Sequence, residues 1–341
     1  MKKISVPAPR QLPSGSWRVQ LLIDGKRISV TEDSESACIA RAMAIREKML
    51  EPVDQSQKPS LSIAIDRYIE ARESILSPAT IRGYRNIQKS RFQSQMKRPV
   101  NALSEREWQR AVNAEAKLCS SKTLKNAWGF VSSVLREETG VSYSISLPQV
   151  LSEPRAFLEP DQIKVFLEHA RGNKYEIAAL LALCSLRVSE IIALTWDQID
   201  LEHKIISVKG AVVPNEKHQY VKKKENKNQT SRREVPIMIP QLLDALKAAD
   251  KRTPDVVPYH PRTIQNAINR ICKEAGLPEV GTHGLRHSFA SLAYHLNMPE
   301  KIAMQIGGWS NDATMRKIYT HVSKKDVISY QNAMSAFYEN E

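Results

Sequence analysis

The spacing of apolar positions divides the chain into regions with different predicted elements. Residues 16–31 alternate between apolar and polar side chains in two runs that Asp24-Gly25 joins, which is typical of a β-hairpin with a tight turn. Ser34 then precedes helical spacing over residues 35–50. The pattern predicts a helix that begins at a serine cap and packs on this small sheet.

Helical spacing alone continues from Ser60 to Thr139, where apolar side chains recur three and four positions apart. Ser77 and Ser120 precede helical stretches and are predicted to begin them. Two aperiodic segments flank this region: residues 51–59 are polar and bracketed by prolines, and residues 140–154 carry little charge. We interpret both segments as linkers around a small helical bundle.

The region that opens at Glu159-Pro160-Asp161 mixes both patterns. Most of it is helical, including the apolar run Ile177–Cys184, but residues 204–213 and 234–239 are strand-like. We therefore predict a multidomain fold, mainly α with small β elements: a small β-sheet plus helix, a helical bundle and a mixed α/β domain. The predicted boundaries are 1–52, 59–141 and 155–325, with a tail at 326–341.

Composition is that of folded domains with a strong basic balance. The 341 residues are 42% hydrophobic and 26% charged, and 50 Lys and Arg against 37 Asp and Glu give a net charge of +13. This surplus favours a polyanionic partner, most simply nucleic acid. The longest apolar run is too short for a membrane helix, and the first residues lack a signal peptide's apolar core. The four scattered cysteines indicate reduced thiols in a cytoplasmic protein and no metal site.

Positive charge is concentrated between Lys204 and Arg233, where nine Lys and Arg face two Glu. A run of this kind is often only a solvated surface. Because the run lies between predicted strands, it also fits a basic β-hairpin that reaches along a nucleic-acid groove and places a lysine against a phosphate.

Several residues in the last region have side chains suited to phosphate chemistry. His283 and Arg286 are three positions apart, hence on one face of a helix, and can converge on one anion. Arg187 follows the apolar helix directly, with Glu190 three positions later; a buried ion pair between them is the alternative interpretation. Tyr319 stands beside an isoleucine, where tyrosines are more often part of a core. Each residue alone is a weak signal. Their occurrence in this order within one predicted domain favours metal-free attack on a phosphodiester.

The chain resembles the tyrosine recombinase family, the integrases of phages and mobile elements. The resemblance is carried by Leu186-Arg187-Val188-Ser189-Glu190, by His283-Gly284-Leu285-Arg286-His287-Ser288, and by Tyr319-Thr320-His321. It implies a site-specific recombinase whose catalytic residues are Arg187, Lys227, His283, Arg286, Trp309 and the nucleophile Tyr319, with Glu190 in support.

Two assignments within this resemblance need separate treatment. The family's hairpin lysine is matched to Lys227, although Lys222, Lys223 and Lys224 are alternatives because hairpin lengths vary. Trp309 stands where the family usually has histidine. Its indole N–H can donate a hydrogen bond but cannot shuttle a proton, so acid–base duty is expected to pass to the lysine and His283.

The resemblance also implies the reaction. Arg187 and Arg286 would stabilise a pentacoordinate phosphate while Tyr319 attacks it, forming a 3′-phosphotyrosine, and a lysine would protonate the leaving 5′-oxygen. A partner strand's 5′-hydroxyl would then displace the tyrosine. Bond energy is kept in the covalent intermediate, so neither ATP nor any other cofactor is expected.

The other regions acquire expected roles from the same resemblance. The first would bind arm-type DNA sites, and the bundle would close on the duplex opposite the catalytic domain. Solvated charge is the alternative for each candidate phosphate contact: Arg18, Lys26, Arg27, Arg82, Arg85, Lys89, Lys122, Lys125, Lys222, Lys223 and Lys224.

The expected assembly is a homotetramer on synapsed double-stranded DNA, with DNA-bending and excision proteins as further partners and no membrane. Val327, Tyr330, Met334 and Phe337 fall at helical spacing, which favours docking of the tail on a neighbouring protomer over folding back. A type IB topoisomerase and a non-enzymatic DNA-binding regulator remain as alternative functions. The regulator leaves the ordered site residues unexplained.

Overall fold

The computed structural model describes residues 6–23, 26–46, 58–150, 156–222, 232–309, 331–332 and 334–338. Its apolar side chains collect in separate clusters for the first region, the bundle and the last region. A further small alanine cluster lies between the helices Gly281–His295 and Glu300–Gly307. The predicted fold class is confirmed, and the domain boundaries stay a prediction.

The first region is a three-stranded antiparallel sheet with one helix on it. Its elements, in the sheet order β1-β2-β3, are β1 (Arg10–Gln11), β2 (Trp17–Ile23), β3 (Lys26–Glu32) and α1 (Glu35–Arg46). The register sets Val19 opposite Val30, and both face the apolar side of α1. Ile23 pairs with Lys26, so the predicted two-residue connection is confirmed, while Asp24 and Gly25 lie outside the described residues.

The bundle consists of helices whose starts the sequence marks well. They are α2 (Leu61–Glu70), α3 (Pro78–Ser90), α4 (Glu105–Ala116) and α5 (Ser121–Thr139). Ser77 and Ser120 accept backbone hydrogen bonds at the predicted starts, and Ser104 forms a capping box with Glu107. Phe92, Trp108 and Trp128 fill the centre with tilted ring contacts.

The last region packs helices around small antiparallel sheets. Its helices are α6 (Pro160–Ala170), α7 (Glu176–Leu183), α8 (Val188–Ile191), α9 (Pro240–Ala248), α10 (Pro261–Glu274), α11 (Gly281–His295) and α12 (Glu300–Gly307). Its strands are β4 (Ile199–Asp200), β5 (Ile205–Val208), β6 (Val212–Pro214), β7 (Tyr220–Lys222) and β8 (Arg233–Pro236). One sheet has the order β4-β5-β8, and β6 pairs with β7. Helix α7 is apolar on every side because it lies in the centre, against α9 and α11.

The strands differ from the predicted ones in extent. The predicted strand 204–213 is two strands, because β5 pairs with β8 whereas β6 pairs with β7. The predicted strand 234–239 ends at Pro236, because Ile239 already caps α9 and Pro240 fixes its first turn. Over the described ranges, every helix is too short or too polar to cross a bilayer.

Candidate active site

The loop between α7 and α8 brings Arg187 and Glu190 together. Leu186 N donates to Leu181 O while Ser185 adopts a left-handed φ of 73°, and this closes α7 and turns the chain into α8. Arg187 caps α8, and its backbone N donates to Glu190 Oε2 at 2.8 Å. Its guanidinium donates to Glu190 Oε1, also at 2.8 Å. The predicted ion pair is present, but the Arg187 side chain is still 39% exposed and can reach a ligand.

A second arginine, which sequence reasoning missed, binds the other side of Glu190. Arg233, the first residue of β8, donates from Nη1 and Nη2 to the two Glu190 oxygens at 3.0 and 2.9 Å. Its side chain is 5% exposed. Burial alone would raise the pKa of Glu190, but the hydrogen bonds and charge of Arg233, together with Arg187, hold this pKa below its usual range. Glu190 is therefore an anion at neutral pH.

Arg286 enters the site from the buried face of α11. The residue is 3% exposed, and its Nη1 donates to the carbonyl oxygen of Ser185. Nη2 is buried and has no hydrogen-bond partner among the described residues. Burial, followed by the charges of Arg187 and Arg233, lowers the pKa of Arg286 to about 9. A buried cationic donor without an acceptor is suited to an anionic ligand.

Trp309 lies against Arg286. The Arg286 guanidinium carbon is 4.2 Å from the centre of the indole, and Phe289 stacks on the same ring at 6.2 Å. The chain reaches this position through Gly308, whose φ of 62° ends α12. A Cβ on Gly307 would meet the indole at 1.9 Å, so this close turn requires glycine. Trp309 thus packs between Arg286 and Phe289, and its role in catalysis stays a prediction.

His283 lies on the exposed side of the first turn of α11, and its ring meets that of His287 at 5.1 Å. The helix begins at Gly281, where φ is 56° and a Cβ would collide with the Gln265 side chain. Gln265 Oε1 accepts hydrogen bonds from the backbone N and the hydroxyl of Thr282, both at 3.1 Å. Through Gln265, helix α10 therefore fixes the start of α11, whose first turn contains His283.

Several predicted catalytic residues lie outside the described residues. These are Lys227, its alternatives Lys223 and Lys224, and Tyr319. Lys222 is the exposed last residue of β7. The structure thus brings together Arg187, Glu190, Arg286 and Trp309, with His283 on the same helix as Arg286. The roles of all these residues stay predictions.

Apart from the hairpin lysines, the candidate phosphate contacts are on two regions. In the first region, Arg18 and Arg27 are exposed on the sheet, and the Lys26 side chain lies outside the described part. In the bundle, the exposed candidates are Lys89, Lys122 and Lys125, while Arg82 is half-buried.

Arg85 differs from the other candidates because acidic groups already surround it. Its guanidinium contacts Asp66 of α2, and it lies 3.6 Å from Glu216 in the turn between β6 and β7. A phosphate would have to compete with both carboxylates for this arginine.

Comparison with known proteins identifies the region that holds this site. Residues 156–326, half of the chain, match the model of the phage integrase family. The chain belongs to this family of tyrosine recombinases. A XerC-like tyrosine recombinase of Caldanaerobacter subterraneus subsp. tengcongensis is 28% identical over 196 residues, 48% of this chain and 50% of that relative. The chain spans about half the length of the curated relatives it first matches.

Two solved integrase structures share the fold. The Tn1549 transposon integrase in complex with circular intermediate DNA has a TM-score of 0.62 at 21% identity, covering 80% of this chain and 99% of that one. A lambda integrase tetramer bound to a Holliday junction has a TM-score of 0.54 at 17% identity, covering 91% and 97%. At these identities the likeness establishes the multidomain integrase fold.

Arg233 was missed although the sequence carries a signal for it. Arg233 and Val235 are two positions apart in a strand, so they share a face, and Val235 is fully buried. An arginine on the inward face of a strand needs a buried acceptor. In this family member the acceptor is Glu190.

Proposed function

We propose that this chain is a site-specific DNA recombinase that cuts and rejoins DNA through a 3′-phosphotyrosine on Tyr319. The observation that carries the proposal is the pair Arg187 and Arg286 beside one carboxylate: the Arg187 guanidinium is partly exposed, and Arg286 has a buried donor without a partner among the described residues. Two guanidinium groups match the oxygens of a phosphodiester with their paired N–H donors. They stabilise the transition state of its cleavage more than the ground state. Membership of the integrase family supports the same chemistry.

The remaining steps are assigned to residues by their chemistry. A free tyrosine hydroxyl has a pKa near 10 and needs a base and cations nearby, which His283 and the arginines would supply. A hairpin lysine, Lys227 in this proposal, would protonate the leaving 5′-oxygen. No nucleotide cofactor enters, because the phosphotyrosine conserves the energy of the broken bond.

Double-stranded DNA is the proposed substrate, bound by more than one region. On the open face of the first sheet, the register sets Arg10 opposite Arg18 and Leu22 opposite Arg27. This basic face supports binding of arm-type sites in a groove. The exposed lysines of α3 and α5 support contacts to the core site.

A homotetramer on synapsed DNA is the proposed working assembly. A lambda integrase of the same fold forms a tetramer on a Holliday junction. In the tail, residues 331–332 and 334–338 are helical, with Met334 and Phe337 exposed, which supports docking on a neighbouring protomer. Because genomic or phage DNA is the proposed substrate, we expect the protein to act in the bacterial cytoplasm at the nucleoid, with bending and excision proteins as further partners.

Covalent capture of DNA tests the proposal and finds the substrate at once. The full chain is incubated with a nicked, randomised duplex library, adducts that survive denaturation are isolated, and their DNA is sequenced. We expect one recurrent core sequence. Tyr319→Phe should form no adduct yet bind the recovered duplex normally, because only the hydroxyl is lost.

The control is Tyr330→Phe, which should form adducts like the wild type. Adducts that persist in Tyr319→Phe and vanish in Tyr330→Phe would move the nucleophile to Tyr330. Relaxation of plasmids without strand exchange between two recovered sites would indicate a type IB topoisomerase. Sequence-specific binding without any adduct would leave a DNA-binding regulator.

A further inference from the structure

We propose that Arg233 is a positioning residue for the cleavage reaction: it holds Glu190 and the turn before Trp309 in one arrangement. The proposal rests on the proposed function, since the groups that it positions are those assigned to the phosphate. The Arg233 side chain is nearly fully buried, so it acts through its neighbours and does not touch the DNA.

The first observation is that Arg233 completes the hydrogen bonding of Glu190. Oε1 accepts from Arg187 Nη1 and Arg233 Nη1, and Oε2 accepts from the Arg187 backbone N and Arg233 Nη2. All the usual acceptor positions of the carboxylate are thus filled. Without Arg233, half of these acceptor positions would be buried and unpaired. The Glu190 side chain could then change its conformation and displace the Arg187 guanidinium that it binds.

The second observation is that the same guanidinium holds the end of α12. Arg233 Nε donates to the carbonyl oxygen of Ile306 at 2.8 Å, and Arg187 Nη2 donates to that of Gly308 at 2.6 Å. A Cβ on Gly308 would lie 3.0 Å from the Arg233 side chain, so the turn and the arginine are in tight contact. This turn leads to Trp309, the platform of Arg286.

The third observation is the place of Arg233 in the chain. It is the first residue of β8, and it directly follows the sequence segment that contains Lys227. The planar Arg233 side chain therefore links three parts of the site: Glu190, the turn before Trp309, and strand β8, which follows the segment with Lys227. Lysine cannot reproduce this, because its single ammonium lacks the fork that bonds both carboxylate oxygens and a carbonyl.

The test compares Arg233→Met and Arg233→Lys with the wild type on the duplex recovered by covalent capture. Single-turnover adduct formation at saturating DNA should slow by about 100-fold in both variants, while DNA affinity stays unchanged. Arg252→Met is the matched control, since it breaks an arginine–carboxylate pair on the surface; it should cleave at the wild-type rate. Wild-type cleavage by Arg233→Met, or full rescue by lysine, would overturn the proposal.

The pH profile separates positioning from simple loss of stability. Among the described residues, the charged groups that face Glu190 are Arg187, Arg233 and Arg286. Removing Arg233 takes away the cation that most strongly lowers the pKa of Glu190, so the acid limb of the cleavage profile should move to higher pH. An acid limb that stays in place would contradict the proposal.

Amide exchange tests the same inference without DNA. The amides of Gly308 and Trp309 donate to Gln305 and Met304, and their exchange should accelerate in the folded Arg233→Lys variant but not in Arg252→Met. Unchanged protection would overturn the proposal even if the wild type formed no adduct. Absence of adducts in the wild type itself would instead refute the proposed function.

Discussion

At the scale of single residues, the site carries more positive charge than its one carboxylate can neutralise. Arg187, Arg233 and Arg286 surround Glu190, and the pKa of Arg286 is lowered to about 9 by burial and by the other two arginines. The unfolded chain therefore binds the proton of the Arg286 guanidinium more tightly than the folded protein does. Because of this group, the free energy of unfolding rises as pH increases above about 9. At neutral pH, the charged and buried Arg286 lowers the free energy of unfolding.

Replacing Arg286 should therefore separate stability from activity. Arg286→Met removes a buried charge whose Nη2 has no acceptor in the part of the chain that the structure describes. We therefore expect the free energy of unfolding at pH 7 to rise by about 1 kcal/mol, while covalent attachment to DNA is lost. The difference from the wild type should shrink above pH 9. Urea unfolding at several pH values measures this, with Arg270→Met on the exposed side of α10 as control. A variant less stable than the wild type at pH 7 would show that the contacts to Ser185 and Trp309 outweigh the charge.

At the scale of elements, the basic segment between β7 and β8 offers several lysines for the proposed role of acid. Lys222 ends β7, whereas Lys227 stands in the sequence between β7 and β8, outside the described residues. Lys227→Ala should slow cleavage strongly, and a 5′-thio leaving group, which needs no proton, should restore most of the rate. Lys222→Ala, the control, should weaken DNA binding alone. Thio rescue of Lys222→Ala, but not of Lys227→Ala, would reassign the acid.

Local patterns predicted the elements well because each reports on the backbone beside it. Ser77 and Ser120 begin helices as expected, Arg187 follows the predicted apolar helix, and His283 and Arg286 lie on one helix as their spacing predicts. The contact of Arg233 with Glu190 depends instead on where β8 lies relative to α8, which no local spacing encodes. The left-handed Ser185 was equally hidden, because a serine gives no sign of the positive φ that a glycine would signal.

At the scale of the whole molecule, the first region presents a basic face turned away from its own core. Arg18 and Arg27 share the open side of the sheet with Leu22, which is 68% exposed, while α1 covers the other side. A flat antiparallel sheet with arginines and an exposed apolar side chain is suited to a DNA groove. Because this region has its own apolar cluster, we expect it to bind a second DNA site without affecting cleavage at the core site.

Neutralising that face should remove the second site and spare cleavage. The change is Arg18→Ala with Arg27→Ala, and the matched control is Arg41→Ala, an arginine on α1 that pairs with Glu32. We expect the double variant to form adducts on a short core duplex at the wild-type rate, because its active site is intact. On long attachment DNA it should lose footprints distant from the core, and the slope of log affinity against log salt should fall by about 2, since two phosphate contacts disappear. An unaltered footprint and slope would mean that the sheet binds something other than DNA, and slower cleavage of the short duplex would mean that the first region contributes to the core site itself.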